Sequence, residues 1–185
     1  MTISLQRCAW AETHELFIPY HDEEWGVVVH DDRLLFEMLN LEGAQAGLSW
    51  LTVLKKRAAY KQAFDDFDAH KIAQYSETKR GELMNNPGII RNRLKINAAI
   101  ENAKAFLLVQ VEFGSFDAYI WHFVDNKSFT HKQQTEAIAL SEYMSKHMKK
   151  QGFKFVGPTI CYAFMQATGM IDDHESYCFK SHKAN

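Results

Sequence analysis

Proline and glycine are scarce in this sequence, 3 and 9 residues in 185. That scarcity excludes collagen-like and low-complexity chains, which are built from those two residues. Cysteine is scarce too. Cys8, Cys161 and Cys178 are too few and too scattered for a disulfide-stapled secreted fold. No apolar run approaches the roughly 18 residues that a membrane-spanning helix requires. Even Ala103 to Val111 is broken by Lys104 and Gln110 and met by Glu112. No apolar stretch of the signal-peptide kind follows Met1 to Leu5, so the expected home is the cytoplasm, with no membrane partner. An excess of either charge is also missing: 21 Lys and Arg stand against 23 Asp and Glu, a net of −2. Such a balance does not announce a polyanion partner, so local clustering of the basic residues decides the matter.

What is present is a well-stocked core. Hydrophobic residues make up 46% of the chain, with 13 Phe, 7 Tyr and 4 Trp. A chain of this length buries roughly 70% of its unfolded surface, enough to stand as one domain over residues 1–185. Helical periodicity dominates and strand-type alternation is nearly absent, so the fold class is all-α. Asp31-Asp32 opens a helix carrying Leu34, Leu35, Met38, Leu39 and Leu41, which ends near Gly43 to Gly47. Ser49 caps a second helix over Trp50 to Phe64, with Lys55, Lys56 and Arg57 facing largely away from the core. Short helices follow from Ala69 and Ser76, and after Asn85-Asn86-Pro87-Gly88 a long one covers Ile90 to Phe113. Ser115 caps a short helix to Val124, and the polar run Asp125 to Ala137 reads as a surface loop. Ala139 to Gln151 and the apolar Thr159 to Thr168 close the chain, the latter burying Cys161.

Four constellations carry chemistry. Cys8 with His21, and His174 with Cys178, supply the sulfur and imidazole donors of a tetrahedral zinc site, the second pair at one-turn helical spacing. The alternative is two ordinary thiols and two solvent-facing imidazoles. Asn86-Pro87-Gly88-Ile89-Ile90-Arg91 is either a plain Pro-Gly turn or a hairpin presenting backbone N–H groups at a helix N-terminus to a phosphate. Arg91, Arg93 and Lys95 add basic side chains there, although Ile90 replaces the second glycine of the commonest hairpin form. Leu41 to Trp50 places Glu42 beside Gly43 and Gly47, with Leu48 as a wedge against stacked bases; lone acids of this kind are otherwise solvated. Trp10, Phe17, Tyr20 and Trp25 surround the acids Asp22 to Glu24, which suits either a pocket for a flat cationic ring or a satellite hydrophobic cluster.

At these residues the chain resembles the DNA-3-methyladenine glycosylase I family of the helix–hairpin–helix superfamily. Arg7 to Trp10, Tyr20 to Gly26, Leu41 to Lys56, Gly88 to Ile96 and Phe153 to Gly169 all look like family blocks, in order and at family spacing. The resemblance implies a helix–hairpin–helix near residues 76–112 that grips the backbone of double-stranded DNA containing alkylated adenine. It implies one structural zinc ion per chain on Cys8, His21, His174 and Cys178. It also implies a base pocket of Trp10, Phe17, Tyr20, Glu42 and Trp50, with Glu42 as the catalytic residue. DNA contacts would come from Gly47, Leu48, Gly88, Ile90, Arg91 and Arg93, in a monomeric bacterial enzyme. Two departures stand out. Phe17 occupies a place where a tyrosine is expected, and no Asp occurs between Gly88 and Asp117 to stabilise a cationic sugar. Two rivals remain open: a zinc hydrolase acting on a small molecule, and a damage-sensing module that releases no base.

Overall fold

The computed structural model describes residues 5–130 and 133–181. The chain enters through a 3-10 turn, Ala9–Thr13, and a single helical turn, α1 (Phe17–Pro19), that runs directly into a five-residue π-helical turn, Tyr20–Glu24. There the Trp25 N–H reaches the Tyr20 carbonyl at 2.8 Å, one residue wider than an α-helical bond. Wide turns of this kind cluster at functional sites because they swing consecutive side chains out of helical register. Here they bury Tyr20 and His21 side by side.

Helix α2 (Asp32–Gln45) is capped as expected: Asp31 accepts from the Leu34 N–H at 2.8 Å. Asp32 has a second task. Its carboxylate accepts from the Phe116 and Asp117 N–H groups and from the Gln110 amide, tying three elements together. Ser49 caps α3 (Trp50–Ala63), also as expected. After a 3-10 turn, Asp65–Phe67, the chain forms α4 (Ala69–Ile72) and α5 (Glu77–Asn85, capped by Ser76). The long α6 (Arg93–Phe113) is followed by α7 (Phe116–His122), α8 (Gln134–Lys150) and α9 (Pro158–Ala167). Helix α2 lies at the centre and packs on α3, α6, α7 and α9, while α8 and α9 pair closely. Leu35, Phe36, Leu39 and Leu41 of α2 are fully buried among Phe106, Phe116 and Phe164. Cys161 lies in this core as expected, and burial pushes its thiol up to about 12.

Several boundaries move. Helix α6 starts at Arg93, not Ile90, because the Asn92 side chain accepts from the Leu94 and Lys95 N–H groups and fixes the start there. The polar run from Asp125 is not one open loop. Phe129–Thr130 pairs in parallel with Ile171–Asp172, and α8 begins at Gln134, five residues before Ala139. Arg57 does not face away from the core either. Its side chain is only 14% exposed and is held by Glu24 and by the buried Glu37. Among the described residues no helix is long and apolar enough to cross a membrane.

Candidate functional site

A cavity of about 290 Å³ opens between the π-helical turn, the end of α2, the start of α3 and α9, and is lined by Trp10, Tyr20, Trp25, Glu42, Gln45, Trp50, Ala163 and Gln166. Its walls are rings. Trp50 stands 5.3 Å from Tyr20 between ring centroids, and Trp10 stands edge-on to Trp25 at 5.1 Å. Phe17 is placed behind this wall, edge-on to Trp10 at 5.6 Å, and does not line the cavity. Gln45, Ala163 and Gln166 do line it, and the sequence reading missed them. Gln45 fell inside the Leu41 to Trp50 stretch but was not singled out there, and Ala163 and Gln166 read as part of an apolar core helix, in which Gln166 is the single amide.

Glu42 is the chemical centre of the cavity. It is 3% exposed, and its Oε2 is buried with no hydrogen-bond partner. Burial pushes its carboxyl up to about 8, because a carboxylate here would give up water and gain nothing in return. Burial and the nearby Glu42 and Glu24 carboxyls hold the Tyr20 hydroxyl well above its usual range. The Trp50 Nε1–H is likewise buried without an acceptor. An aromatic box with an unpaired carboxyl and an unpaired donor is preorganised for a flat, polar, electron-poor ring.

The acids Asp22 to Glu24 serve other purposes. Arg7 grips Asp22 through two nitrogens at 2.7–2.9 Å, which holds that carboxyl below its usual range, and Asp22 in turn accepts from His21 Nδ1 at 2.8 Å. Glu24 is taken by Arg57.

Behind Trp10 and Trp25, the Cys8 and Cys178 sulfurs and a His21 ring nitrogen all lie within 4.8 Å of one another, all buried. His21 Nε2 lies 3.3 Å from Cys178 Sγ. His174 stands beside this trio, its ring 5.2 Å from that of His21. Its Nδ1 is held by Asp172 at 2.8 Å, and its Nε2 is buried with no partner. Burial lowers the His174 imidazole, which favours the neutral form that a metal requires. Gly26 makes room for it: a Cβ there would fall 2.5 Å from His174 Cε1. The His174 to Cys178 stretch is irregular, not the helical turn its spacing suggested.

The turn between α5 and α6 is pinned from behind. Lys56 Nζ donates to the Pro87 carbonyl at 2.8 Å, and the Ile90 N–H donates to Tyr60 Oη at 3.2 Å. Gly88 is required there, since a Cβ would meet the Ala59 Cβ at 2.9 Å. Its N–H is spent on Asn86 Oδ1, so the Gly88 and Ile90 amides are both engaged within the protein. Arg91 and Arg93 are exposed. Lys95 is not, and it turns back onto the Ala44 and Ala46 carbonyls at 2.8 and 2.6 Å. Lys95, expected to face phosphate, and Lys56 and Arg57, expected to face away from the core, are therefore all engaged by other parts of the protein: Lys56 by the turn, Arg57 by Glu24 and Glu37, and Lys95 by the end of α2. Leu48, 43% exposed, stands at the rim after Gly47, whose φ of +76° favours glycine.

A sequence model of the methyladenine glycosylase family matches residues 10–181. The chain belongs to the methyladenine glycosylase family. Its members hydrolyse N-glycosidic bonds. The DNA-3-methyladenine glycosylase 1 of Escherichia coli is 46% identical over 183 residues, covering 94% of this chain and 96% of that protein. A crystal structure of a 3-methyladenine DNA glycosylase I superposes with a TM-score of 0.89 at 47% identity, covering 95% of this chain and all of that one. A tyrosine-to-phenylalanine variant of such an enzyme, solved in complex with 3-methyladenine, superposes with a TM-score of 0.89 at 35% identity over 97% of this chain and 99% of its own. The glycosylase fold of the family is thus the fold of this chain.

Proposed function

We propose that this chain is a monofunctional base-excision enzyme: it extrudes 3-methyladenine from alkylated duplex DNA and releases it by hydrolysis, leaving an abasic site. The observation that carries the reading is the unpartnered Oε2 of Glu42 at the floor of an aromatic cavity. A neutral purine gives that carboxyl no reason to ionise, whereas an N3-methylated adenine is a cation on the DNA. Bringing the two together pairs both charges at once.

The leaving base departs neutral, so the glycosidic bond is already weak and no general acid is needed. The protein must instead select, hold and orient. Tyr20 and Trp50 offer ring faces, and Trp10 and Trp25 close the opposite wall. Glu42 accepts from the base and keeps negative charge near the sugar as positive charge moves onto it. Flipping costs a few kcal/mol, less for a damaged base, and Leu48 is placed to fill the gap left in the stack. Arg91 and Arg93, with the open end of the hairpin, hold the phosphates. Lysine-based lyase chemistry has no place in this cavity, whose lining includes no lysine.

The zinc reading fits the residues present. Two sulfurs and His21 converge, both imidazoles are oriented through Nδ1 by carboxylates, and His174 Nε2 is a buried donor atom without a partner. The Glu175 and Lys180 N–H groups point at the Cys8 and Cys178 sulfurs at 3.3 and 3.5 Å, as second-layer donors to a metal-bound sulfur would. Cys8, His21, His174 and Cys178 would close a four-coordinate site that ties the two ends of the chain together. The test of function is direct: incubate alkylated duplex DNA with the protein and assay free 3-methyladenine. Tight DNA binding with no released base would instead identify a damage-sensing module.

A further inference from the structure

Lys95 read from sequence as one more phosphate ligand of the hairpin, and its position in space says otherwise. It sits on the first turn of α6, three residues after the Asn92 cap, whose side chain accepts from its N–H. Its ammonium is turned away from the open face and donates to the carbonyls of Ala44 and Ala46, 51 and 49 positions earlier in the chain. These belong to the last turn of α2 and the residue after it, where carbonyls lack helical partners and a cation is favoured by the helix dipole. Burial lowers the Lys95 ammonium, as for a cation that has exchanged water for two carbonyls.

The two carbonyls bracket a critical stretch. Between them lies Gln45, which lines the base cavity. Two residues before them is Glu42, and beyond them come Gly47 and the rim residue Leu48, whose N–H folds back to the Gln45 carbonyl at 2.6 Å. At its own end, Lys95 continues directly from the hairpin turn, which Lys56 and Tyr60 pin to α3. The ammonium is therefore a strut between the part of the protein that meets phosphate and the loop that meets the base stack.

Resting on the glycosylase reading, we infer that Lys95 is a positioning residue that transmits hairpin docking on duplex DNA to the Gln45–Leu48 loop, setting the wedge against the stack. It touches neither base nor phosphate. Its removal therefore weakens the extrusion step on duplex DNA and leaves the base cavity itself intact.

Lys95→Met keeps the aliphatic stem and removes the donors; Lys95→Arg keeps charge and donors; Lys95→Gln is the fallback where the first does not fold. For each, four quantities are measured: single-turnover release of 3-methyladenine from duplex DNA, the salt dependence of duplex binding, the affinity for free 3-methyladenine by tryptophan fluorescence, and the melting temperature. Expected for Lys95→Met is a loss of about tenfold or more in duplex release, with free-base affinity within about twofold of the parent and partial rescue in Lys95→Arg. The salt slope should be unchanged. A slope reduced by about 0.9 would make Lys95 a phosphate ligand and overturn the inference. Equal losses on duplex release and free-base affinity would reduce it to general stability, and an unchanged release rate would leave it no role. A wild-type protein that releases no base at all would bring down the glycosylase reading itself.

Discussion

Cys178 Sγ lies 3.3 Å from His21 Nε2, although the two residues are 157 positions apart in the chain. The two terminal segments also meet through hydrogen bonds: the Phe179 N–H donates to the Gln6 carbonyl at 2.8 Å, the Ala9 N–H to Glu175 at 3.0 Å and Lys180 Nζ to the Asp22 carbonyl at 3.0 Å. On the zinc reading, a bound cation would add a cross-link through these donor atoms.

Metal removal is accordingly expected to act on stability. Chelation, or Cys178→Ser, should lower the melting temperature by about 10 °C or more, with one equivalent of zinc released per chain. Base release per folded molecule, assayed well below the transition, should hold. Loss of turnover in a protein that melts unchanged would make the metal catalytic and revive the hydrolase alternative.

Glu42→Gln should cut 3-methyladenine release about 10²-fold while leaving the fold intact. The pH dependence follows from the direction of the shift. With the Glu42 carboxyl raised to about 8, kcat/KM for the cationic substrate should rise with pH up to that region, and the variant should show no such rise. Stability moves the opposite way. A raised carboxyl contributes fully below its ordinary value and loses that contribution as pH climbs through the folded value. The unfolding free energy of wild type should therefore fall behind that of Glu42→Gln between pH 5 and 9, by about 4 kcal/mol over that range. Parallel melting curves across that range would show that Glu42 is not buried as described.

Much of the fold could be read ahead of the structure because capping is local chemistry. Asp31, Ser49, Ser76 and Ser115 each accept from an N–H three residues on, and each was legible from its neighbours. The Cys8, His21 and Cys178 trio was legible as donor types, and Glu42 as an acid among glycines. What could not be read was direction. Lys55 to Arg57 and Lys95 look alike on paper, yet Arg57 and Lys95 turn inward because acceptors distant in sequence meet them in space, at Glu37 and at the end of α2. The parallel pairing of Phe129 with Ile171 is equally silent in sequence, being two residues long and 42 positions apart. Phe17, named for the pocket, packs behind it because the π-helical turn rotates Tyr20 inward in its place.

Arg57 offers a check on that inward turn. Its guanidinium is held by Glu37, whose side chain is only 5% exposed and whose other oxygen meets Lys61 at 3.2 Å, so Arg57→Met would leave a buried carboxylate with that one cation. A loss of about 3 kcal/mol in denaturant unfolding is expected, with base release unaffected in the folded fraction. Arg57→Met combined with Glu37→Met should recover most of that loss, because the pair is then removed together. A variant of Arg57 that keeps its stability but binds duplex DNA more weakly would instead place Arg57 against phosphate.

The hairpin and the rim should separate by salt. Arg91 and Arg93 are exposed on the open side of the turn, and replacing both with alanine should reduce the slope of log affinity against log salt by about 0.9 for each phosphate no longer neutralised. Because Gly88 and Ile90 spend their N–H groups inside the protein, those side chains carry more of the grip than the turn's backbone does. Release at saturating DNA should then be nearly unchanged. Leu48→Ala should do the reverse: this rim side chain is 43% exposed, so its removal costs little stability and leaves the salt slope alone. Single-turnover release from duplex DNA should still fall by about tenfold, since the extruded base loses the group that blocks its return. The same variant acting on single-stranded alkylated DNA should show a much smaller defect, because there is no stack to hold open; equal defects on the two substrates would remove Leu48 from the wedge role.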